Sequence, residues 1–170
     1  LPKLIEYGSL RGDLQVQSNW TDGQDSIKEM AEAAKKASLE YILITDHTKS
    51  LAMTGGLDEK KLLRQMKEID KIQKEVSGIK ILKGAEVNIL KDGSLDINDK
   101  TLSKLDVVGA AVHSLFNLSR TDQTKRIIMD TVGIGIGAGR EPDLAILLKY
   151  ADTVGGLPQA SIWTAGQKRS

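Results

Sequence analysis

The strongest constraint on the fold is a regular alternation of short apolar runs with amphipathic stretches. Tyr41-Ile42-Leu43-Ile44-Thr45 is a compact, β-branched run of the kind that forms a strand buried on both faces. Asp106-Val107-Val108-Gly109-Ala110-Ala111-Val112 is a second. Ile79 to Leu82 and Ala85 to Ile89 read as two more, parted at Lys83-Gly84. Between the strands the period changes. Ser26-x-x-Glu29 has the form of a capping box, and Ile27, Met30, Ala31 and Ala34 follow at helical spacing. Asp58 to Val76 predicts a second helix, with Leu62, Met66, Ile69 and Val76 on one side and charges elsewhere. A short helix is expected from Asn98 to Leu105, with turns at Asp22-Gly23 and Lys91-Asp92-Gly93-Ser94. Strands that alternate with helices pair mainly in parallel, so the expected class is α/β, a sheet or barrel.

The chain of 170 residues is the size of one compact domain, and its apolar content of 40% is enough for a core. Aromatics are scarce at 4%, so aliphatic side chains must do most of the packing. Cysteine is absent, which excludes disulfides, thiolate metal ligands and cysteine nucleophiles. No apolar run approaches the roughly 18 residues of a membrane span, and Leu1-Pro2-Lys3-Leu4-Ile5-Glu6 does not have the form of a signal peptide. A cytoplasmic chain without a membrane partner is therefore expected. A net charge of +1 gives no global attraction for nucleic acid, so any basic footprint must be local.

The character of the chain changes after Met129, and two regions are expected: an α/β domain over 1–130 and a divergent segment over 131–170. Glycines at 133, 135, 137 and 139 fail the register of a dinucleotide fingerprint. They suit either a phosphate loop or a close-packed strand and turn. A helix is expected to follow, with Pro142 near its first turn and Leu144, Leu147, Leu148 and Ala151 on one face.

Four residues stand out by position. Asp22 lies in the loop after the first expected strand, His47 just past the Tyr41 run, Glu86 within Lys83-Gly84-Ala85-Glu86, and His113 just after Val112. Loops at strand C-terminal ends converge on one face of an α/β fold, where active sites are built. Both histidines of the chain sit there. Imidazole nitrogen with carboxylate oxygen suits Zn²⁺, Mn²⁺ or Fe²⁺. The plainer alternative is hydrogen-bonded loop histidines and a Glu86 paired with a lysine. Arg120, Lys125 and Arg126 either meet a phosphate backbone or line a solvated helix face. Trp20 either stacks on a base or packs into the core.

The motifs also carry a resemblance. Gly12-Asp13-Leu14-Gln15-Val16-Gln17-Ser18-Asn19-Trp20-Thr21-Asp22-Gly23 is similar to the first motif of the PHP (polymerase and histidinol phosphatase) family, and Ile44-Thr45-Asp46-His47 to its second. Gly84-Ala85-Glu86-Val87-Asn88-Ile89, Asp92-Gly93-Ser94-Leu95-Asp96 and Val107 to Ser114 continue the pattern in order. Lys49-Ser50-Leu51-Ala52 and Gly55-Gly56-Leu57 most resemble the C-terminal PHP domain of bacterial and archaeal family X DNA polymerases. The resemblance covers residues 8 to about 130. It implies a distorted β/α barrel, here partial at the C-terminal side, with a cluster of up to three metal ions that hydrolyses phosphoesters. DNA 3′ ends are among the implied substrates, and small phosphate esters are the other class.

Carried over residue by residue, the resemblance makes Asp22, His47, Glu86 and His113 metal ligands. Asp46 becomes a catalytic-site residue that orients His47 as an acceptor. The chain also departs from the pattern. Where the first motif normally offers His-x-His, this chain has Gln15-x-Gln17, so both glutamines are weak ligands or outer partners. The later ligands, from a His-Pro motif and a closing Asp-x-His, have no counterpart, because no histidine follows His113. The reduced set implies one or two Mn²⁺ or Zn²⁺ ions at most, with none as the limiting case. Two functions follow: a metal-dependent phosphoesterase of DNA ends or small esters, or an inactive PHP-derived scaffold beside a polymerase module. A partial barrel also exposes a sheet edge, which the tail or a second copy of the chain is expected to cover.

Overall fold

The computed structural model describes residues 8–124 and 126, and the backbone of two short strands near the C-terminus. The glycine run, the Pro142 helix and Lys125 lie outside the described residues, as does most of the 131–170 segment. The elements are β1 (Gly12–Val16), α1 (Ile27–Lys36), β2 (Tyr41–Ile44), a 3-10 turn (Ala52–Thr54), α2 (Glu59–Glu75), β3 (Lys80–Asn88), α3 (Asp99–Leu102), β4 (Val107–Ala111), β5 (Ser161–Ile162) and β6 (Gln167–Lys168). The first four strands form one sheet in the order β1-β2-β3-β4, every pair parallel. β5 and β6 pair antiparallel with each other. Sequential strand order with a helix in each crossover winds the chain one way, so the four-stranded sheet curls as part of a barrel with its helices on one side.

Two apolar clusters fill the layer between sheet and helices. In the first, Ile27 and Ala31 of α1 and Ile69 and Ile72 of α2 pack on Val16, Ile42, Ile44 and Ile81 of three strands. In the second, Leu62 and Met66 of α2 meet Ala85 and Val87 of β3 and Ile97, with Leu102, Val108 and Ala110 around them. Trp20 is partly buried and packs against both clusters, in keeping with its packing alternative. Each fully buried Ile or Leu contributes about 1.5–3 kcal/mol of burial free energy, which is how a chain so poor in aromatics holds a core. Period two along β3 places Ile81, Ala85 and Val87 toward the helices and leaves Glu86 and Asn88 facing the concave side.

The expected helix starts are present. Ser26 closes the capping box with Glu29, and Asp58 caps α2 by accepting from the Lys61 N–H. α3 is shorter than expected, since the chain turns at Ser103 after one capped turn. The two expected strands over 79–89 are one continuous β3. Gly84 is no breaker here. It permits a close approach, because a β-carbon at this position would stand 2.7 Å from Leu43 Cδ1 and 2.8 Å from the Ile44 carbonyl oxygen. Backbone on one of those sides cannot step away. Gly84→Ala is expected to lower stability by about 1–3 kcal/mol through this overlap, seen as an earlier urea midpoint with an unchanged slope; an unshifted midpoint would contradict it.

Candidate metal centre

Strand length builds the site. β3 outruns β2, and past the end of β2 the backbone pairing continues irregularly: Glu86 N–H donates to the Asp46 carbonyl and Thr48 N–H to the Glu86 carbonyl, both at 3.2 Å. This holds His47 directly beside Glu86. His113 follows β4 by two residues and comes to Glu86 from the other flank. His113 Nε2 stands 2.8 Å from Glu86 Oε1, and His47 Nε2 stands 3.6 Å from Glu86 Oε2. The imidazoles meet edge to face with centroids 5.3 Å apart. One donor atom from each of His47, Glu86 and His113 falls within a 4.8 Å cluster. All three side chains are mostly buried, with 13–20% of their surface exposed.

An outer ring of polar groups holds these three in place. The other nitrogen of His47 bonds Asp22 Oδ1 at 2.9 Å, and the other nitrogen of His113 bonds Asn88 Oδ1 at 2.8 Å. Gln15 and Gln17 both donate amide N–H to Glu86 Oε2, Gln17 at 3.2 Å. β1 slips register against β2 between Asp13 and Val16, a bulge that helps aim these two glutamines at Glu86 from the sheet edge. Of the expected ligand positions, the two glutamines take the outer-partner alternative and Asp22 lies against a ligand. Asp22, expected on the metal, is the partner of the His47 ring and lies outside the cluster. Gln15 and Gln17 prop the Glu86 carboxylate as donors rather than turning oxygen toward the centre. Burial pushes the Asp22 carboxyl up, but hydrogen bonds from His47 and Thr21 outweigh it and hold the group below its ordinary value.

The donor set fits a metal ion on the structure's own terms. His113 meets an acceptor at each ring nitrogen, Asn88 Oδ1 and Glu86 Oε1, both at 2.8 Å; a neutral imidazole has one N–H for the two, so a second proton or a cation completes the set. Ligands at about 2.0–2.2 Å from one ion lie about 2.8–3.1 Å apart at octahedral angles and about 3.3–3.6 Å apart at tetrahedral ones, which brackets the 2.8 and 3.6 Å seen here. Two imidazoles and one carboxylate are a normal complement for Zn²⁺ or Mn²⁺.

Asp46 departs from its expected role. Its carboxylate does not orient His47; it is wholly buried and turned the other way. It accepts from Ser18 N–H at 2.8 Å, Ser18 Oγ at 2.6 Å, Thr21 Oγ1 at 2.5 Å and Gln65 Nε2 at 2.6 Å. It ties the first loop to the end of β2 and to α2. Arg126 is likewise fully buried, and its guanidinium donates to the carbonyls of Ile89, Ser114 and Leu115 and to Gln123. It has no face left for a phosphate backbone. It pins the chain just beyond His113, where Leu115 adopts φ of 59°. Arg120 is exposed, as a phosphate contact requires.

Sequence reasoning gave no role to three residues behind Glu86 and His113. Thr48, Asn88 and Asp96 are buried together. Asp96 accepts from Thr48 Oγ1 at 2.7 Å, Asn88 N–H at 3.0 Å, Asn88 Nδ2 at 2.9 Å and Ser50 N–H at 3.0 Å. One signal was available for Asn88: it lies two residues from Glu86, hence on the same face of β3.

Comparison with known proteins adds the ancestry. A profile of the PHP domain matches residues 13–154. The chain belongs to the PHP domain family. It is 41% identical, in a 162-position alignment that covers 88% of its length, to the DNA polymerase/3′-5′ exonuclease PolX of Bacillus subtilis (strain 168), of which it spans 28%. It is 35% identical over 91 residues, 53% of its length, to a probable phosphatase of Thermoanaerobacter sp. (strain X514), of which it spans 35%. A probable phosphatase of Syntrophotalea carbinolica is 30% identical over 88 residues, 52% of the chain and 34% of that protein. The chain thus spans about a third or less of the curated relatives it matches. The PHP match takes in the whole candidate centre and continues past residue 130. Among the described residues, no helix is long and apolar enough to cross a membrane.

The Asp96 network makes stability depend on acid. Burial raises the Asp96 carboxyl, but the Thr48, Ser50 and Asn88 hydrogen bonds outweigh it and leave the group below its ordinary value. A depressed carboxyl stabilises the fold above its unfolded-state pKa, and that contribution is lost as pH falls through the folded-state value. Stability is expected to decline as pH drops through and below the ordinary carboxylate range, with Asp96→Asn giving a lower plateau and a shallower acid limb. Chemical denaturation across that range checks this; parallel curves for the two proteins would contradict it.

Proposed function

We propose that this PHP domain is a divalent-metal-dependent phosphoesterase, acting with Mn²⁺ or Zn²⁺ on small phosphate esters or on DNA 3′ ends. The observation that carries the reading is the convergence of His47, Glu86 and His113, each backed by an outer partner. When bound, such an ion acts as a Lewis acid on a phosphoryl oxygen and lowers the pKa of a water. The chain's own residues do the rest. His47 and His113 present ring nitrogens fixed in direction by Asp22 and Asn88. Glu86 supplies the negative charge, shared between the two imidazoles and steadied by Gln15 and Gln17. Exposed Arg120, a few residues beyond His113, and Lys125 supply cationic charge for a phosphate chain.

The DNA-end substrate and a polymerase module as companion rest on the likeness to a protein named as a DNA polymerase and 3′-5′ exonuclease. The small-ester substrate rests on the relatives named as probable phosphatases. One observation favours the alternative of a domain that binds metal but no longer turns over. Gln17 stands where the resemblance implies an imidazole, Gln15 being usual in the polymerase-attached group, and both act as donors to Glu86, so one ion rather than a cluster is what the described ligands would hold. A cytoplasmic setting fits the absence of cysteine and remains part of the proposal.

Hydrolysis of p-nitrophenyl phosphate and of a 3′-labelled single-stranded DNA in Mn²⁺ is expected for the purified chain and is expected to vanish with EDTA. Glu86→Gln should reduce it by more than about 100-fold, beyond the 10–100-fold that outer partners alone are worth. Turnover of neither substrate by a chain that retains bound metal would favour the scaffold reading.

A further inference from the structure

His113 can serve a metal only with the correct nitrogen bare, and the groups that decide this lie one step away from the site. The Asn88 amide offers two distinct ends, an N–H₂ that donates and an oxygen that accepts. Its Nδ2 faces Asp96 Oδ2 at 2.9 Å and Thr48 Oγ1 at 3.1 Å. The single Thr48 hydroxyl proton goes to Asp96, at 2.7 and 2.9 Å from its two oxygens, so Thr48 Oγ1 meets Asn88 as an acceptor. Both neighbours of Nδ2 are thus acceptors. Reversing the amide would press its oxygen against a carboxylate oxygen in a buried setting, where unmatched polar contacts cost most. The amide is fixed with Oδ1 toward His113 Nδ1 at 2.8 Å. An acceptor there calls for a proton on Nδ1; in the neutral ring this leaves Nε2 bare, and the 2.8 Å contact with Glu86 is then one that a cation rather than a proton completes.

We propose that Asp96, acting through the fixed Asn88 amide, is a positioning residue that sets the tautomer of His113 and so presents its Nε2 lone pair to the centre. Asp96 lies on the turn after β3, eight residues beyond Asn88, and its own hydrogen bonds go to Thr48, Ser50 and Asn88 rather than to the triad. His47 has its own, separate device: Asp22 accepts from its Nδ1 directly. The two histidines of the chain are therefore set by independent groups, and each reports on the other's integrity. The tautomer preference rests on the Asn88 contact and is read where no Glu86 carboxylate competes at Nε2; its consequence for affinity rests on the metal reading of the centre.

The direct test is long-range ¹H–¹⁵N correlation of histidine-labelled, metal-free protein in alkaline buffer, where two imidazoles give two resolvable patterns. Glu86→Ala serves as the background, because it removes the carboxylate that competes for a proton on Nε2. His113 is expected with Nδ1 protonated and Nε2 bare. Adding Asp96→Asn, which offers Asn88 a donor and frees the amide to reverse, is expected to move His113 toward a mixture while His47 keeps its pattern. An Nε2-protonated or evenly mixed His113 with Asp96 intact would overturn the inference, as would a His113 unmoved by Asp96→Asn. Should that variant fail to fold, seen as loss of the His47 pattern too, Asn88→Ala in the same background decides: a retained Nδ1–H preference overturns the proposal. With Glu86 intact, Asp96→Asn should weaken Zn²⁺ binding by about 10–100-fold. The expected tautomer in a chain that binds no Zn²⁺ sinks the metal reading alone; Zn²⁺ binding with the wrong tautomer sinks this inference alone.

Discussion

The buried Asp46 carboxylate is the constraint on which the rest of the site depends. A charge taken out of water is costly unless saturated with donors, and Asp46 is matched by two groups of Ser18, the Thr21 hydroxyl and the Gln65 amide. Those four bonds join the loop after β1, the end of β2 and the middle of α2 in one place. The loop so held carries Asp22 to the His47 ring. The backbone of Asp46 meanwhile accepts from Glu86 N–H, which fixes the register that puts His47 beside Glu86. The side chain faces the core and the main chain builds the site, so one residue couples packing to ligand placement.

The centre itself follows a simple division of labour. Three side chains point inward and their remaining hydrogen-bonding atoms are taken by groups that never reach the centre: Asp22 for His47, Asn88 for His113, and the two glutamine amides for Glu86. Preorganisation of this kind reduces the entropy lost when a cation is gathered. The glutamines also show what the departure from the family's first motif does physically. A neutral amide that donates to Glu86 spreads its charge without adding a ligand. Arg126 supplies the last fixed point, locking the Ser114 and Leu115 carbonyls just after His113.

Much of this was legible in the residues. The Ile42 and Ile44 run, the Ser26 capping box and the Leu62-Met66-Ile69 stripe each carry a local signal strong enough to survive packing. The two histidines were conspicuous because each follows an apolar strand, although β4, expected to be buried on both faces, is only partly covered among the described residues. Gly84 misled, since a glycine inside a strand pattern looks like a break until the Leu43 side chain above it is known. The contacts of Asp46 and Arg126 were not legible for a related reason. Sequence position places a residue near a site, but whether its side chain turns toward the centre, the ring behind it or the core is decided by partners far along the chain, such as Gln65 for Asp46 and Ile89 for Arg126. Asp96 illustrates the limit most clearly, because its importance exists only through Asn88.

The measurement that bears most directly on the central claim is metal content per chain, by elemental mass spectrometry after incubation with Mn²⁺ or Zn²⁺ and exhaustive dialysis. The account predicts about one ion retained per chain, and loss of that ion when His47 and His113 are both replaced by alanine in a protein that remains folded. A folded wild-type chain that retains no metal, or a double variant that retains as much as the wild type, would contradict it.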